Sequence, residues 1–374
     1  MEQCAEWNEQ IHLNFVDFKK AFDSLHREAI WKILGSYGIP EKLIKIIKIF
    51  YLNYECSVVL GEKISNWFSV ETGVRQGCIL SPLLFLITID WVMRQTCNIP
   101  RGIQWTLYTH LEDLDFADDL ALMSRALNHL KEKTTRLAEI GAKTGLVINT
   151  AKTKTMHSNG KPDAPLSIGN QEIDCVDNFN YLGSIISIDN GAEKDIKNRL
   201  NKAKGAFALL QPVWRSGKYS KKTKIRLYKS NVLSVLLYGS ECWRMTQTDI
   251  QKLEVFQNKC LRQICKIFYP EIISNEDLLQ LTNVIEVERN IANRRHRLLG
   301  HILRMDNQRV PKVALKWTPA NGKRNRGRPK TTWRRTMIKD LEKMGLTLKE
   351  AEKVAKDRRR WRGLIGPLAP TAET

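Results

Sequence analysis

Two adjacent carboxylates inside an apolar run place the hardest local demand on this chain. From Leu111 to Met123 the sequence reads L-E-D-L-D-F-A-D-D-L-A-L-M, so Asp118 and Asp119 sit among Leu114, Phe116, Leu120 and Leu122. Desolvation and mutual repulsion both oppose bringing two charges together in a half-buried setting. A bound divalent cation removes both costs. The apolar residues alternate with smaller or polar ones, which predicts two short strands meeting at a turn formed by the Asp pair. Such a hairpin tip would present oxygen ligands of the kind Mg²⁺ takes. Taken alone, the segment reads equally well as an acidic surface turn, and the rest of the chain has to decide.

Composition narrows the classes. A chain of 374 residues with 43% apolar content has enough material for at least one full core and is expected to bury two or three. Its formal net charge of +20 favours a polyanionic partner, nucleic acid before membrane. The longest apolar candidate, Ile79 to Met93, is interrupted by Ser81, Pro82, Thr88 and Asp90, and the N-terminus shows no basic-then-apolar leader. The expectation is an intracellular protein, cytoplasmic and nuclear, with no membrane partner. The eight cysteines have no framework spacing, as suits reduced thiols. Cys260-x4-Cys265 followed by His296-x4-His301 offers a zinc alternative. Against it, Cys260 falls on the apolar face of a helical pattern.

The run Ile11 to Asp23 reads I-H-L-N-F-V-D-F-K-K-A-F-D, and strand alternation puts Ile11, Leu13, Phe15 and Asp17 on one side. Asp17 is thereby carried to the end of a buried face, where a carboxylate needs a partner. Asp23, just ahead of a helical pattern, also reads as a helix cap. Pro40 then opens an amphipathic helix expected to bury Leu43, Ile46, Ile47 and Phe50. In V-R-Q-G-C-I-L-S-P-L-L-F, Val74 to Phe85, Gly77 lets a backbone approach a flat ligand beside Arg75 and Gln76, and Ser81-Pro82 opens a helix. An ordinary loop entering a buried helix is the plainer reading.

Ser124 is expected to cap a helix carrying Leu127, Leu130, Thr134 and Leu137 and closing near Gly145; a short strand L-V-I-N follows. From Glu193 onward the periodicity turns helical, with Ile196, Leu200, Ala203, Phe207 and Leu210 on one face and Ile250, Leu253, Phe256, Cys260 and Ile264 on another. Strands are expected to end near residue 190. The fold class is therefore α+β first and α-helical second.

Asp17 in F-V-D-F-K-K-A-F-D, the loop R-Q-G-C-I-L-S-P, F-A-D-D, the stretch G-L-x-x-N-x-x-K and Y-L-G occur in an order that resembles the polymerase palm of reverse transcriptases. The similarity is greatest to the non-long-terminal-repeat (LINE-type) retrotransposon enzymes and runs from about Asn14 to Gly183. L-Y-G-S-E-C-W, H-R-L-L-G-H-I-L-R-M and R-G-R-P-K-T-T-W resemble the helical continuation of such elements. The resemblance implies a right-hand palm, an antiparallel sheet with helices, over residues 1–190. A helical thumb over 191–285 and a basic helical nucleic-acid-binding region over 286–374 would follow.

It also implies roles. Asp17, Asp118 and Asp119 would hold two Mg²⁺ ions, or Mn²⁺ in their place, for nucleotidyl transfer from a dNTP to a primer 3′-hydroxyl. Phe22 matches the steric gate that excludes a ribose 2′-hydroxyl, which disfavours an RNA-dependent RNA polymerase. Phe18, Arg75, Gln76, Gly77, Phe116 and Ala117 match positions against the incoming nucleotide and template base. Lys152, with Lys154 nearby, matches a proton donor to pyrophosphate. Tyr181, Leu182 and Gly183 match the primer grip. RNA template, DNA primer and dNTPs are the implied partners.

The family's fingers lie upstream of the Asp17 motif, where 16 residues stand here, and no endonuclease segment is recognised. The expectation is the C-terminal part of a longer polyprotein, or a truncated copy that binds nucleic acid without turnover. Residues 291–374 hold 23 Lys or Arg against 7 Asp or Glu, a net of +16 out of +20. Within them Arg326-Gly327-Arg328-Pro329-Lys330 resembles an AT-hook core, suited to a narrow A·T minor groove. A solvated basic linker is the plainer alternative. Trp317, Trp333 and Trp361 interleave with these charges, either to stack on bases or to anchor helices.

Overall fold

Strand β1 (His12–Val16) is buried along its whole length because it lies inside a six-stranded sheet, with a paired neighbour on each side. The computed structural model describes residues 1–158, 164–320, 322–324, 326–327 and 331–366. These form two compact units. The first is Gln3–Leu182 with Thr318–Asn325, and the second is Gly183–Trp317 with Arg326–Thr374; Met1 groups with the first and Glu2 with the second.

In the first unit, β2 (Asp113–Phe116), β3 (Asp119–Ser124), β4 (Lys154–His157), β5 (Leu166–Ile168) and β6 (Gln171–Cys175) join β1 in the order β5-β6-β4-β1-β3-β2. The pairings are antiparallel except β4 with β6, which is parallel, so the expected antiparallel sheet is a mixed one. Register follows from side-chain alternation. Val16, Leu120 and Leu122 join the core with the helices, whereas Phe15 stacks on Phe179 on the opposite face. The helices of that core are α1 (Ala21–Ser24), α2 (Arg27–Ser36), α3 (Glu41–Ile49), α4 (Ser81–Thr96) and α5 (Leu127–Thr144). Pro82 sits in the first turn of α4, where its missing N–H is no loss, and Leu84, Phe85, Ile89 and Val92 are buried behind it. Each such side chain contributes roughly 1.5–3 kcal/mol. Helix α5 ends at Gly145, whose φ of +89° and close approach to Ser24 O leave no room for a Cβ.

Four local expectations change. Ser124 ends β3 instead of capping α5, whose N-cap is Ala126; its hydroxyl donates to Arg101 O at 2.8 Å. L-V-I-N forms no strand but an isolated bridge from Ile148 to Phe18, flanked by backbone hydrogen bonds from Lys19 to Val147 and from Asn149 to Asp17. The turn of the acidic hairpin is Ala117-Asp118, because Asp119 already pairs with Phe116. Helix α3 buries Ile44 and partly Ile47, while Leu43, Ile46 and Phe50 are exposed. That helix is apolar at nearly every position lysine does not take, so periodicity alone left two candidate faces open.

The second unit is mostly helical. α6 (Glu193–Leu209) and α7 (Gln247–Cys265) share a core in which Ile196, Ala203, Phe207, Leu253, Phe256, Cys260 and Ile264 are buried. Burial pushes the Cys260 thiol up to about 12, which opposes the thiolate that zinc requires. A further cluster joins α8 (Val287–Leu303), α9 (Trp333–Lys343), α10 (Leu348–Ala355) and α11 (Arg358–Ile365). Trp361 anchors it: the indole N–H donates to His296 O at 3.1 Å, and a Cβ on Gly300 would lie 2.1 Å from the indole nitrogen. Trp333 is similarly engaged, donating from its ring to Glu241 O at 2.7 Å. No described helix is long and apolar enough to cross a membrane.

Candidate active site

The β1–β3 ladder ends with Val16 opposite Leu120, and one further step of that register sets Asp17 opposite Asp119. By alternation both fall on the face away from the helical core, the same face as Phe15 and Ala121. The chain beyond β1 is held by Asn149, whose N–H donates to Asp17 O at 2.8 Å. The Asp17 N–H donates to Thr153 Oγ1 at 3.2 Å. Lys152, from the same segment, brings its ammonium to 3.9 Å from Asp17 Oδ2. Lys154 instead donates to Asp174 Oδ2 at 2.6 Å and to Ala151 O at 2.7 Å.

Asp118 occupies the turn and Asp119 opens β3. Ala117, the first turn residue, has φ +57°, a left-handed conformation that normally selects glycine in a two-residue hairpin turn. The Asp119 carboxyl is raised above the usual carboxylate range by burial first, then by the charges of Asp118 and Asp17. Asp17 Oδ2 is shut off from solvent and accepts no hydrogen bond. A carboxylate oxygen without a hydrogen bond and mutual repulsion are the donor chemistry a divalent cation satisfies, and on this ground Asp17, Asp118 and Asp119 fit the ions the resemblance implies. Among the described residues no three His, Cys, Asp or Glu side chains, these aspartates included, already stand together as a metal-holding group. The three carboxylates are neighbours at a ladder end, open to further ligands.

Tyr181, on β7 (Asn178–Tyr181), packs against Phe15 with ring centroids 5.5 Å apart and donates its hydroxyl to Leu114 O at 3.0 Å. Burial, then Asp119, Asp115 and Asp113, pushes that phenol up to about 12, so it remains a donor. Leu182 and Gly183 follow with φ +50° and +80°, a tight turn. Phe116 is exposed, and Phe18 is buried in the core.

The R-Q-G loop attaches to the segment after Asp17. Val74 N–H donates to Phe22 O at 2.8 Å, and the Gln76 amide donates to Asp23 Oδ1 at 3.0 Å. Asp23 thus lies within α1 and holds the loop instead of capping a helix. The Arg75 guanidinium lies 4.1 Å from the Tyr54 ring centroid. Its Nε is out of solvent without a partner. Gly77 has φ +83°, and a Cβ there would meet nothing in the chain, so its glycine answers to the backbone turn and leaves open space beside it. Phe22 is stacked on Phe85 with centroids 4.3 Å apart.

Two features had no clear sequence signal. Tyr54 comes from a connection whose sequence announces no partner for Arg75. A buried pair, Lys133 with Glu112, spans 2.6 Å, and the Glu112 carboxylate also accepts the N–H groups of Arg101 and Gly102, fixing the approach to β2. Of the AT-hook-like run, Arg326 and Gly327 are exposed, whereas Arg328, Pro329 and Lys330 lie outside the described residues.

The central strand of a mixed sheet thus carries one aspartate toward the aspartate pair of a neighbouring hairpin. Residues 1–186 match the family described as reverse transcriptase (RNA-dependent DNA polymerase), and the chain belongs to that family. Its relatives are polymerases of non-long-terminal-repeat retrotransposons. Residues 206–238 match a domain of unknown function. A transposon-derived protein of Caenorhabditis elegans is 26% identical over 267 residues, covering 68% of this chain and 95% of the relative. The Pol polyprotein of the R2 retrotransposable element from Nasonia vitripennis is 29% identical over 188 residues, covering 47% of this chain and only 18% of the polyprotein. Among solved structures, apo telomerase from Candida tropicalis superposes with a TM-score of 0.39 at 14% identity, over 81% of this chain and 53% of that one.

Proposed function

We propose that the chain carries the palm of an RNA-directed DNA polymerase and extends a primer 3′-hydroxyl with deoxynucleotides on an RNA template. The observation that carries this reading is the register that, continued one step, sets Asp17 opposite Asp119, beside Asp118, with a buried oxygen of Asp17 that accepts no hydrogen bond. The three aspartates would hold divalent cations, which supply acidity to the attacking hydroxyl and charge neutralisation to the departing phosphates. This chain's own residues do the positioning. Phe22, backed by Phe85, limits what fits at the 2′ position of the sugar. Gln76, held by Asp23, keeps the Arg75–Gly77 loop in place against the nucleotide. Lys152 stands beside Asp17 as the donor of a proton to the leaving pyrophosphate. Tyr181 ties the sheet to the turn at Leu182 and Gly183, where a primer strand would be gripped.

Primer extension on an RNA template with Mg²⁺ tests this directly. Asp17→Asn, Asp118→Asn and Asp119→Asn should each cost at least about 100-fold, since a metal site contributes several kcal/mol and each 1.36 kcal/mol is tenfold. Activity unchanged in all three would end the proposal. A second reading, nucleic-acid binding without turnover, is favoured by the +16 carried by residues 291–374. It predicts undiminished binding and no extension by the wild-type chain.

A further inference from the structure

Helix α8 carries Arg297 and His301, Arg304 follows as its C-cap residue at the i+7 position, and α11 carries Arg358 and Arg362 at i and i+4. The five side chains line one cavity of about 800 Å³ together with Trp361. No carboxylate lines it among the described residues, and none of its cations takes part in a described ion pair. Arg304 is the most telling member. It donates from Nη1 to Ala355 O at 3.1 Å, while its Nε is shut off from solvent with no partner. Burial, then Arg358 and Arg362, lowers its affinity for its own proton, the mark of a positive centre no anion offsets. Like charges facing one another along two helices oppose folding, unless a ligand supplies the missing negative charge.

We propose that this cavity seats consecutive backbone phosphates of a single nucleic-acid strand. Guanidinium groups take phosphate oxygens in bidentate pairs. Seven residues of helix extend about 10.5 Å, so the row of basic side chains is longer than one phosphate group. A lone phosphate would leave most of the row unused. Trp361 is buried and bonded to His296 O, so it does not stack on bases and the contact is independent of sequence. The inference rests on the reading of this chain as a nucleic-acid-binding polymerase, and it narrows the charge of the basic region to one place.

The test compares two full-length triple variants that remove equal charge: Arg297→Gln with Arg358→Gln and Arg362→Gln, and Lys349→Gln with Arg359→Gln and Arg360→Gln. All six residues are exposed, and Arg304 is left intact because it holds the end of α10. Binding to a single-stranded RNA is titrated at several salt concentrations. The cavity variant should lose about tenfold in affinity at moderate salt, and its salt slope should fall by about 2, at roughly 0.7 per phosphate. The control should change by less than about threefold. Equal losses in both variants would overturn the proposal in favour of bulk charge, even with primer extension retained. Wild-type protein that binds no RNA would overturn both this inference and the polymerase reading. Inorganic triphosphate provides the other arm: saturable binding that the cavity variant loses, with strand affinity unchanged, would reassign the cavity to a small anion. Should the triple variant fail to fold, Arg362→Gln alone should reduce the slope by about 0.7.

Discussion

The Lys152 ammonium stands 3.9 Å from Asp17 Oδ2, beyond hydrogen-bond reach, while two residues later Lys154 is locked to Asp174. One lysine is therefore free to act at the aspartates and the other is engaged in structure. Lys152→Ala should slow nucleotide addition by about 100-fold or more, the range of a general acid, with little change in nucleotide KM. Lys154→Ala should leave the rate intact and cost at most about 1 kcal/mol, because its pair is at the surface. Single-turnover extension with each variant separates them, and equal rate losses would remove Lys152 from the chemistry.

Phe22 is not free to move, because Phe85 stacks behind it at 4.3 Å and Phe85 is itself fully buried. A gate acts through rigidity as well as size. Phe22→Ala should raise ribonucleotide incorporation at least about tenfold, a change of about 1.4 kcal/mol in discrimination, and spare deoxynucleotides. Phe85→Leu, which stays apolar but loses the ring stack and some volume, should raise it by a smaller factor. Competition between the two sugar types measures both, and unchanged discrimination in Phe22→Ala would make the ring simply part of the core.

Ala117 holds φ +57° at the hairpin tip beside Asp118. An L-residue there stores roughly 1–2 kcal/mol, of which glycine returns part after its greater entropy loss on folding. Ala117→Gly should raise stability by up to about 1 kcal/mol, whereas Ala117→Val, branched at Cβ, should lower it by at least as much. Urea midpoints in the two variants should move in opposite directions; movement in the same direction would show that packing, not backbone conformation, dominates at this turn.

His12 and His157 face each other across β1 and β4 with Nδ1 atoms 2.7 Å apart, both buried. Burial, and then His12, pushes His157 down to about 4 from its ordinary 6.5. The unfolded chain therefore binds the extra proton first as pH falls, so this group's contribution is present above about 6.5 and lost as pH falls through its folded value near 4. Between pH 7 and pH 5 the loss should be about 2 kcal/mol, and His157→Gln should shrink that difference. Denaturant unfolding at the two pH values gives the comparison; an identical drop in the variant would assign the acid sensitivity elsewhere.

Much of the framework was legible because it follows from local physics. The helix after Ser81-Pro82, the stop at Gly145, the faces of α6 and α7, and the last strand before residue 190 all come from periodicity, capping and glycine conformation. The motif order from Asp17 to Gly183 was likewise enough to identify the family that the match over residues 1–186 shows. Residues joined only by folding were not legible. Which stripe of α3 turns inward depends on what stands opposite, and Ile44 meets Gly35 there. Tyr54 reaches Arg75, and Gln76 reaches Asp23, through contacts that no spacing announces. That two aspartates would sit at a hairpin and a third at a strand end followed from the order of residues, because alternation and turn chemistry are properties of neighbouring residues. Folding was needed to pair β3 beside β1 in the register that sets Asp119 opposite Asp17, and to close α11 on α8 over four arginines and a histidine that take part in no ion pair among the described residues. Register and helix docking are settled by the whole set of side chains buried at once, and no local pattern encodes them.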